Sequence, residues 1–351
     1  VKGISEKKAR EIAAQVSEKA EMRKVMIFLQ KYGISLNLGA KIYQKYKESV
    51  YTILQENPYR LAEDISGVGF KIADEIAARV GIHADSDYRI RSGMLYTLLQ
   101  ASGEGHTYLP REQLFTRCAR LLGVDESYME KHLMDMVIDR KLVLKEKSGE
   151  TIVYPAQYYY LELNTARMLN ELNIVCPEDK ELVRHRIELI EKETGTVLDE
   201  MQKKAITEAA DHGLFILTGG PGTGKTLIQR AILDIYRKNH PNAEICCCAP
   251  TGRAARRMAQ STGYPASTVH KALGLIARDD GSYGQPTDLD ADLILVDEVS
   301  MLDVYLAWRL FDALKYGAQL VLIGDADQLP SVGPGAVSYT HLRAHETRRH
   351  L

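Results

Sequence analysis

Eight consecutive residues, Gly219-Gly220-Pro221-Gly222-Thr223-Gly224-Lys225-Thr226, form the stretch of this sequence best suited to chemistry. They satisfy G-x-x-x-x-G-K-[ST], in which glycines let backbone N–H groups wrap phosphate oxygens, the lysine neutralises the outer phosphates and the hydroxyl ligates Mg²⁺. The apolar run Leu214-Phe215-Ile216-Leu217-Thr218 predicts a buried parallel strand before it, and a helix should follow, adding its dipole to the phosphate site. A second apolar run, Leu293-Ile294-Leu295-Val296, delivers Asp297 and Glu298 to the C-terminal end of a strand, where ligands bind in open α/β sheets. Asp297 would hold Mg²⁺ and Glu298 would polarise an attacking water. A third run, 319–323, ends in Gly324-Asp325-Ala326-Asp327-Gln328, which places Gln328 to touch a γ-phosphate. Gln202, at the start of a helix before the first strand, carries amide donors and an acceptor that suit an adenine edge. The expected small ligands are therefore ATP and Mg²⁺, the metal held by Thr226 and Asp297.

The elements that must position these groups can be read around them. Ile245-Cys246-Cys247-Cys248-Ala249 predicts a fourth strand leading into Pro250-Thr251-Gly252-Arg253-Ala254-Ala255-Arg256-Arg257. Arg253, Arg256 and Arg257, with Thr251 at the turn, either contact a phosphodiester or belong to a solvated basic helix face. Ala266 to Leu273 should start another helix, on which Thr268 and His270 either face nucleic acid or, for His270, fill a structural place. Near the N-terminus, Gly3, Gly33 and Gly67 each precede a small residue by six positions (Ala9, Gly39, Ala73) and an Ile by nine (Ile12, Ile42, Ile76). Each unit reads as helix, tight Gly turn, helix, and resembles the helix-hairpin-helix family, in which backbone N–H groups at the second helix hold a DNA phosphate. The third copy fits best, with Gly67 and Gly69 in the turn and Lys71 adding charge; a packing module without nucleic acid is the alternative. From 87 the sequence predicts helices and a hairpin turning at Ser148-Gly149, with Tyr158-Tyr159-Tyr160 ending a strand, and a charged helical connector over 178–194.

Composition narrows the class. The 351 residues are 45% hydrophobic and 26% charged, which excludes disorder, collagen and coiled coil. Forty-five basic against forty-seven acidic residues argue against a wholly basic coat. Five cysteines, three of them consecutive, offer neither metal spacing nor a disulfide scaffold, which suggests a reducing, cytoplasmic setting. No apolar run reaches the roughly 18 residues of a spanning helix. The first residue is Val1, and the chain is expected to begin inside a longer protein.

Taken in order, Gln202, GGPGTGKT, APTGRAARRM, TVHKALG, LILVDEVSMLD and VLIGDADQLPSVGPG resemble the motifs of superfamily one DNA helicases, specifically the RecD-like group. NPYRLAEDISGVGFKIADEIA and GHTYLPREQL resemble its branch outside RecBCD, in which helix-hairpin-helix segments precede the motor. The resemblance implies an α/β plus all-α fold: hairpin repeats over 1–86, a winged-helix-like module over 87–177 and a RecA-like P-loop domain with a parallel sheet over 178–337. It also implies an ATP-driven, 5′-to-3′ translocase on single-stranded DNA, expected to be monomeric. The alternatives are another kind of P-loop ATPase and a non-catalytic DNA-binding scaffold. The second motor domain of such a helicase is expected to begin soon after Gly335. Residues 338–351, rich in His and Arg, read instead as a non-native tail, with a native basic tail as the alternative; without a second motor domain this chain is expected to bind Mg-ATP weakly and to show little DNA-stimulated hydrolysis.

Overall fold

The computed structural model describes residues 6–65, 67–175, 177–275, 287–325, 328 and 331–335. The start of the first repeat at Gly3, Ser66, Cys176, Ala326, Asp327, Leu329, Pro330 and the 338–351 stretch lie outside the described residues. Packing divides the chain into two compact units: Val1–Gln100 with Leu109–Pro155, and Ala101–Tyr108 with Ala156–Leu351.

The first unit opens with helices α1 (Glu6–Lys31), α2 (Leu36–Tyr46), α3 (Val50–Glu56), α4 (Arg60–Asp64) and α5 (Phe70–Val80). Two of the three predicted repeats are hairpins here: α1, a turn at Gly33, α2; and α4, a turn at Gly67, α5. In both, the small residue and the Ile fall where the spacing puts them. Gly39 lies so close to α1 that a Cβ would meet Met26 Sδ at 2.9 Å, and Ile42, Ala73 and Ile76 are buried. Of the first spacing match Gly3 lies outside the described residues, and its Ile12, on α1, is 43% exposed where Ile42 and Ile76 are buried.

Helix α6 (Asp87–Gly103) follows, then β1 (Leu109–Pro110), α7 (Arg111–Leu122), α8 (Ser127–Ile138), β2 (Leu142–Lys147) and β3 (Glu150–Pro155). The strands form an antiparallel sheet in the order β1-β3-β2, and the hairpin turns where expected, Ser148 and Gly149 both taking positive φ. A half-buried polar network joins hairpin to helix. Asp74 of α5 accepts from Tyr59 Oη (2.6 Å) and from Arg89 Nε (2.7 Å) and Nη2 (3.0 Å), and Arg89 also donates to the carbonyls of Ala84 and Leu122.

The second unit contains α9 (Ala156–Leu172), α10 (Lys180–Thr194), α11 (Glu200–Asp211), β4 (Leu214–Thr218), α12 (Lys225–Asn239), β5 (Ile245–Ala249), α13 (Gly252–Thr262), β6 (Ala266–Thr268), α14 (Val269–Ala272), β7 (Leu293–Val296), α15 (Val304–Asp312) and β8 (Gln319–Gly324). All five strands are parallel, in the order β4-β8-β7-β5-β6. One face packs the α15 side, with Cys248, Ile294, Leu320 and Leu322; the other packs α10 to α13, with Cys247, Leu293, Leu295 and Val321. The three consecutive cysteines thus alternate across the sheet as strand geometry requires. Burial pushes the Cys247 thiol up to about 12, which suits a packing residue rather than a nucleophile.

Three expectations are corrected. Tyr158, Tyr159 and Tyr160 lie in the first turns of α9 rather than at a strand end, because the strand stops at Pro155. Ala266–Thr268 is a strand pairing with β5, and helix begins only at Val269. Helix α9, assigned by sequence to the middle module, belongs to the second unit, where it packs against α15.

Burial alone would push the Asp74 carboxyl up, but the bonds from Arg89 and Tyr59 outweigh it and hold it below the ordinary value. A group with a depressed folded value contributes stability above its unfolded value and loses it as pH falls through the folded one. Asp74→Ala is expected to cost about 2–3 kcal/mol, because it takes the carboxylate partner from Arg89. Thermal unfolding followed by circular dichroism checks this: the difference between wild type and variant should be full at neutral pH and shrink below about pH 4.

Candidate active site

The strand order gathers the predicted residues. Because β8 lies between β4 and β7, the phosphate loop, the Asp297-Glu298 pair and the Gln328 segment leave neighbouring strands at the same end of the sheet. The loop runs from the end of β4 to the start of α12, and Gly222 and Gly224 both take φ +82°. Those angles lie in the left-handed region and favour glycine. Among the described residues, a Cβ on Gly220 or Gly222 would meet nothing within 4 Å, so the loop presents an open cradle of backbone. Lys225 Nζ turns back across it, donating to the carbonyls of Gly219 and of Gly220 (2.8 Å). Thr223 Oγ1 also donates to the Gly220 carbonyl (2.9 Å), whereas Thr226 lies on the first turn of α12.

Gln202 reaches this loop from α11. It completes a capping box with Asp199: its N–H donates to Asp199 Oδ1 (2.8 Å) and its Oε1 accepts from Asp199 N (3.1 Å). Its Nε2 donates to the Thr223 carbonyl (3.3 Å). Gly224 is needed here for space as well as angle, since a Cβ would stand 2.5 Å from Gln202 Nε2. One amide hydrogen and one acceptor lone pair of Gln202 are left for a ligand.

At the end of β7 the Asp297 N–H donates to the Cys248 carbonyl (3.0 Å), and Asp297 Oδ1 accepts from Glu298 N (2.9 Å). Glu298 takes the left-handed conformation, φ 54°, and caps a 3₁₀ turn, Val299–Met301. A non-glycine residue at that angle is held there by its surroundings. Burial, then the Asp297 charge, pushes its carboxyl above the ordinary value, with Arg257 and Arg253 pulling the other way. Gln328 is exposed and donates from Nε2 to Asp325 Oδ2 (3.4 Å), Asp325 itself being buried.

The nucleic-acid residues predicted from sequence divide into several groups. Arg253 and Arg256 line an open groove of about 570 Å³ with Gly252, Arg257 and Gln260, on the exposed face of α13. Thr251 and Thr268 are helix caps, accepting from Ala254 N (3.2 Å) and Lys271 N (3.1 Å). His270 is half-buried on α14. In the first unit, Gly67, at φ +94°, and Gly69 stand open, with no atom of the described residues within 4 Å of a Cβ on either, and Lys71 is exposed beyond them. The equivalent turn at Gly33 is covered: Arg79 Nη1 donates to the Tyr32 carbonyl (2.6 Å), and a Cβ on Gly33 would overlap that guanidinium. Arg257, read from sequence only as one of the basic residues of the α13 turn, also lies near enough to Glu298 to lower its carboxyl, and Arg79, which covers the Gly33 turn, is a residue that spacing did not single out.

Comparison with known proteins fits this arrangement. A family profile described as the ATP-dependent RecD2 DNA helicase HHH domain matches residues 18–108, and one described as an AAA domain matches 202–334. An ATP-dependent RecD2 DNA helicase from Deinococcus radiodurans is 30% identical over 95% of this chain and 47% of its own length. RecBCD enzyme subunit RecD from Mycolicibacterium smegmatis is 37% identical over 39% of this chain and 29% of its own, and that of Haemophilus influenzae 36% over 39% and 25%. The chain thus spans about half the length of the RecD2 relative and less of the RecD subunits. Hairpins ahead of a parallel P-loop sheet, in one chain similar to a RecD2 DNA helicase almost from end to end, are what this chain shares with RecD-like proteins.

Proposed function

We propose that the second unit binds and hydrolyses Mg-ATP and that the parent protein is an ATP-driven 5′-to-3′ helicase on single-stranded DNA, working as a cytoplasmic monomer. The observation that carries this reading is the convergence of Lys225, Thr226, Asp297, Glu298 and Gln328 at the ends of three adjacent parallel strands. The open glycine cradle fits a triphosphate, and the Thr226 hydroxyl with the Asp297 carboxylate fits a hard, oxygen-seeking cation such as Mg²⁺. When bound, that cation neutralises charge on the phosphates. Lys225 exchanges its two carbonyl partners for phosphate oxygens, Glu298 takes a proton from the attacking water, and Gln328 contacts the γ-phosphate. Gln202 supports adenine recognition with its remaining donor and acceptor. Similarity to a RecD2 DNA helicase supports the DNA substrate. Phosphodiester contacts fall to the open hairpin turn, with Gly67, Gly69 and Lys71, and to Thr251, Arg253, Arg256, Thr268 and His270.

Lys225→Ala is the primary test: it should weaken binding of a fluorescent ATP analogue about 10–100-fold, the loss expected for charge-assisted hydrogen bonds. DNA affinity should stay unchanged, and full activity in the variant would leave only a DNA-binding scaffold. A second expectation concerns pH. Glu298 must be ionised to accept a proton and its carboxyl lies above the usual range, so single-turnover hydrolysis should fall off on the acid side above the ordinary glutamate value. Arg257→Gln removes a cation that favours the ionised form and should move that limb to higher pH. For the hairpin, Gly67→Val puts a β-branched residue at φ +94° and should weaken DNA binding. In a salt titration it should lower the slope of log affinity by about one, the loss of one phosphate contact.

A further inference from the structure

Gly324 ends β8 without an unusual backbone angle, since its φ lies outside the left-handed region that favours glycine. An alanine would therefore be conformationally acceptable. What excludes it is space. A Cβ there would stand 2.8 Å from Val299 Cγ2, 3.5 Å from Ser300 N and 3.6 Å from Val299 N. Val299 is 2% exposed and β-branched, so its χ1 cannot swing aside. The 3₁₀ turn after the acidic pair thus rests directly on the backbone of β8.

The same residue holds the other half of the site. Gly324 pairs with Thr218 at the end of β4, and its carbonyl accepts from the N–H of Gly219, the first residue of the phosphate loop (3.3 Å). The next residue, Asp325, is the partner of Gln328. Ser300, on the turn, has a buried hydroxyl with no hydrogen-bond partner among the described residues, so that side chain does not tie the turn down. Van der Waals contact with Gly324 sets its depth.

We propose that Gly324 is a positioning residue that fixes the distance between the phosphate loop and the Asp297-Glu298 turn, by being small enough for Val299 to sit on it. The inference rests on the ATP-site reading above. Gly324→Ala pushes Val299 outward and carries the adjoining Glu298 and Asp297 with it. The loop keeps its own grip on phosphate, because the Gly219 bond uses the Gly324 carbonyl and not its Cα. Phosphate affinity and metal-linked affinity are thereby separated. Val299→Ala removes the clashing methyl and makes room for the one added at position 324.

The test is a titration of the chain with a fluorescent, non-hydrolysable ATP analogue, in EDTA and in Mg²⁺. Gly324→Ala should bind within about twofold of wild type in EDTA and lose at least about fivefold of the tightening that Mg²⁺ gives wild type. The Gly324→Ala/Val299→Ala double variant should recover that tightening to within about twofold, while Val299→Ala alone changes it little. A general loss of structure would weaken both conditions alike and would not be rescued. Unchanged Mg²⁺ tightening in Gly324→Ala, or no recovery in the double variant, overturns the proposal. If Gly324→Ala does not fold by circular dichroism, the double variant decides: folded with wild-type tightening supports the steric contact, unfolded overturns it. Wild-type chain that binds no analogue, or binds it equally well as Lys225→Ala, overturns the ATP-site reading itself and this inference with it.

Discussion

Everything at the site depends on β8 being hydrogen-bonded between β4 and β7. Parallel pairing in that order brings three chain segments, more than a hundred residues apart at the extremes, to neighbouring strand ends. Two of them then touch the third through its backbone: the Gly219 N–H on the Gly324 carbonyl, and the Val299 side chain over the Gly324 Cα. Contacts of this kind have little freedom to adjust, because close-packed interiors shift as units instead of deforming smoothly. A displacement at one strand end is therefore felt at the others. The phosphate loop, which looks self-sufficient as a motif, is held at its first residue by a carbonyl from a different strand.

The extent to which all this was readable in the sequence follows from how local each feature is. The phosphate loop is eight contiguous residues whose glycine angles and lysine are fixed by their own spacing, and it appears as read. The Asp297-Glu298 pair and Gln328 needed only an apolar strand in front of each. Gly324 was different: its smallness matters because of Val299, twenty-five residues earlier, and no local pattern reveals a neighbour created by strand order. The hairpin turns make the same point. Gly33 and Gly67 share a spacing, yet one is covered by Arg79 and the other stands open, a difference set by tertiary placement of α5. Ile12 matched the repeat by position but is exposed on α1, since spacing records periodicity and not whether a core faces it. The tyrosines of α9 misled through their strand propensity, which the break at Pro155 overrides.

Glu298 shows why the charges around the site have to be considered together. Its left-handed backbone and part-buried carboxyl are both unfavourable for an ordinary strand-end acid, and the Asp297 charge adds to the second. Arg253 and Arg257, brought near by the pairing of β5 with β7, offset part of that. The same two arginines line the exposed groove on α13, so the charge that offsets the Glu298 carboxylate also borders open solvent.

Near-neutral overall charge is compatible with the two separate phosphate sites proposed for this chain. Attraction falls off over roughly 8–10 Å at physiological ionic strength, so a phosphate responds to the groups within a few residues of it and hardly to the sum over the molecule. At the loop those groups are the backbone amides, the N-terminal end of α12 and Lys225; at the open hairpin they are the amides after Gly67 and Lys71. Backbone amides count for nothing in a formal charge. Forty-five basic residues against forty-seven acidic ones therefore place no bound on either proposed site, and the glycines, which carry no charge at all, are what would make each of them possible.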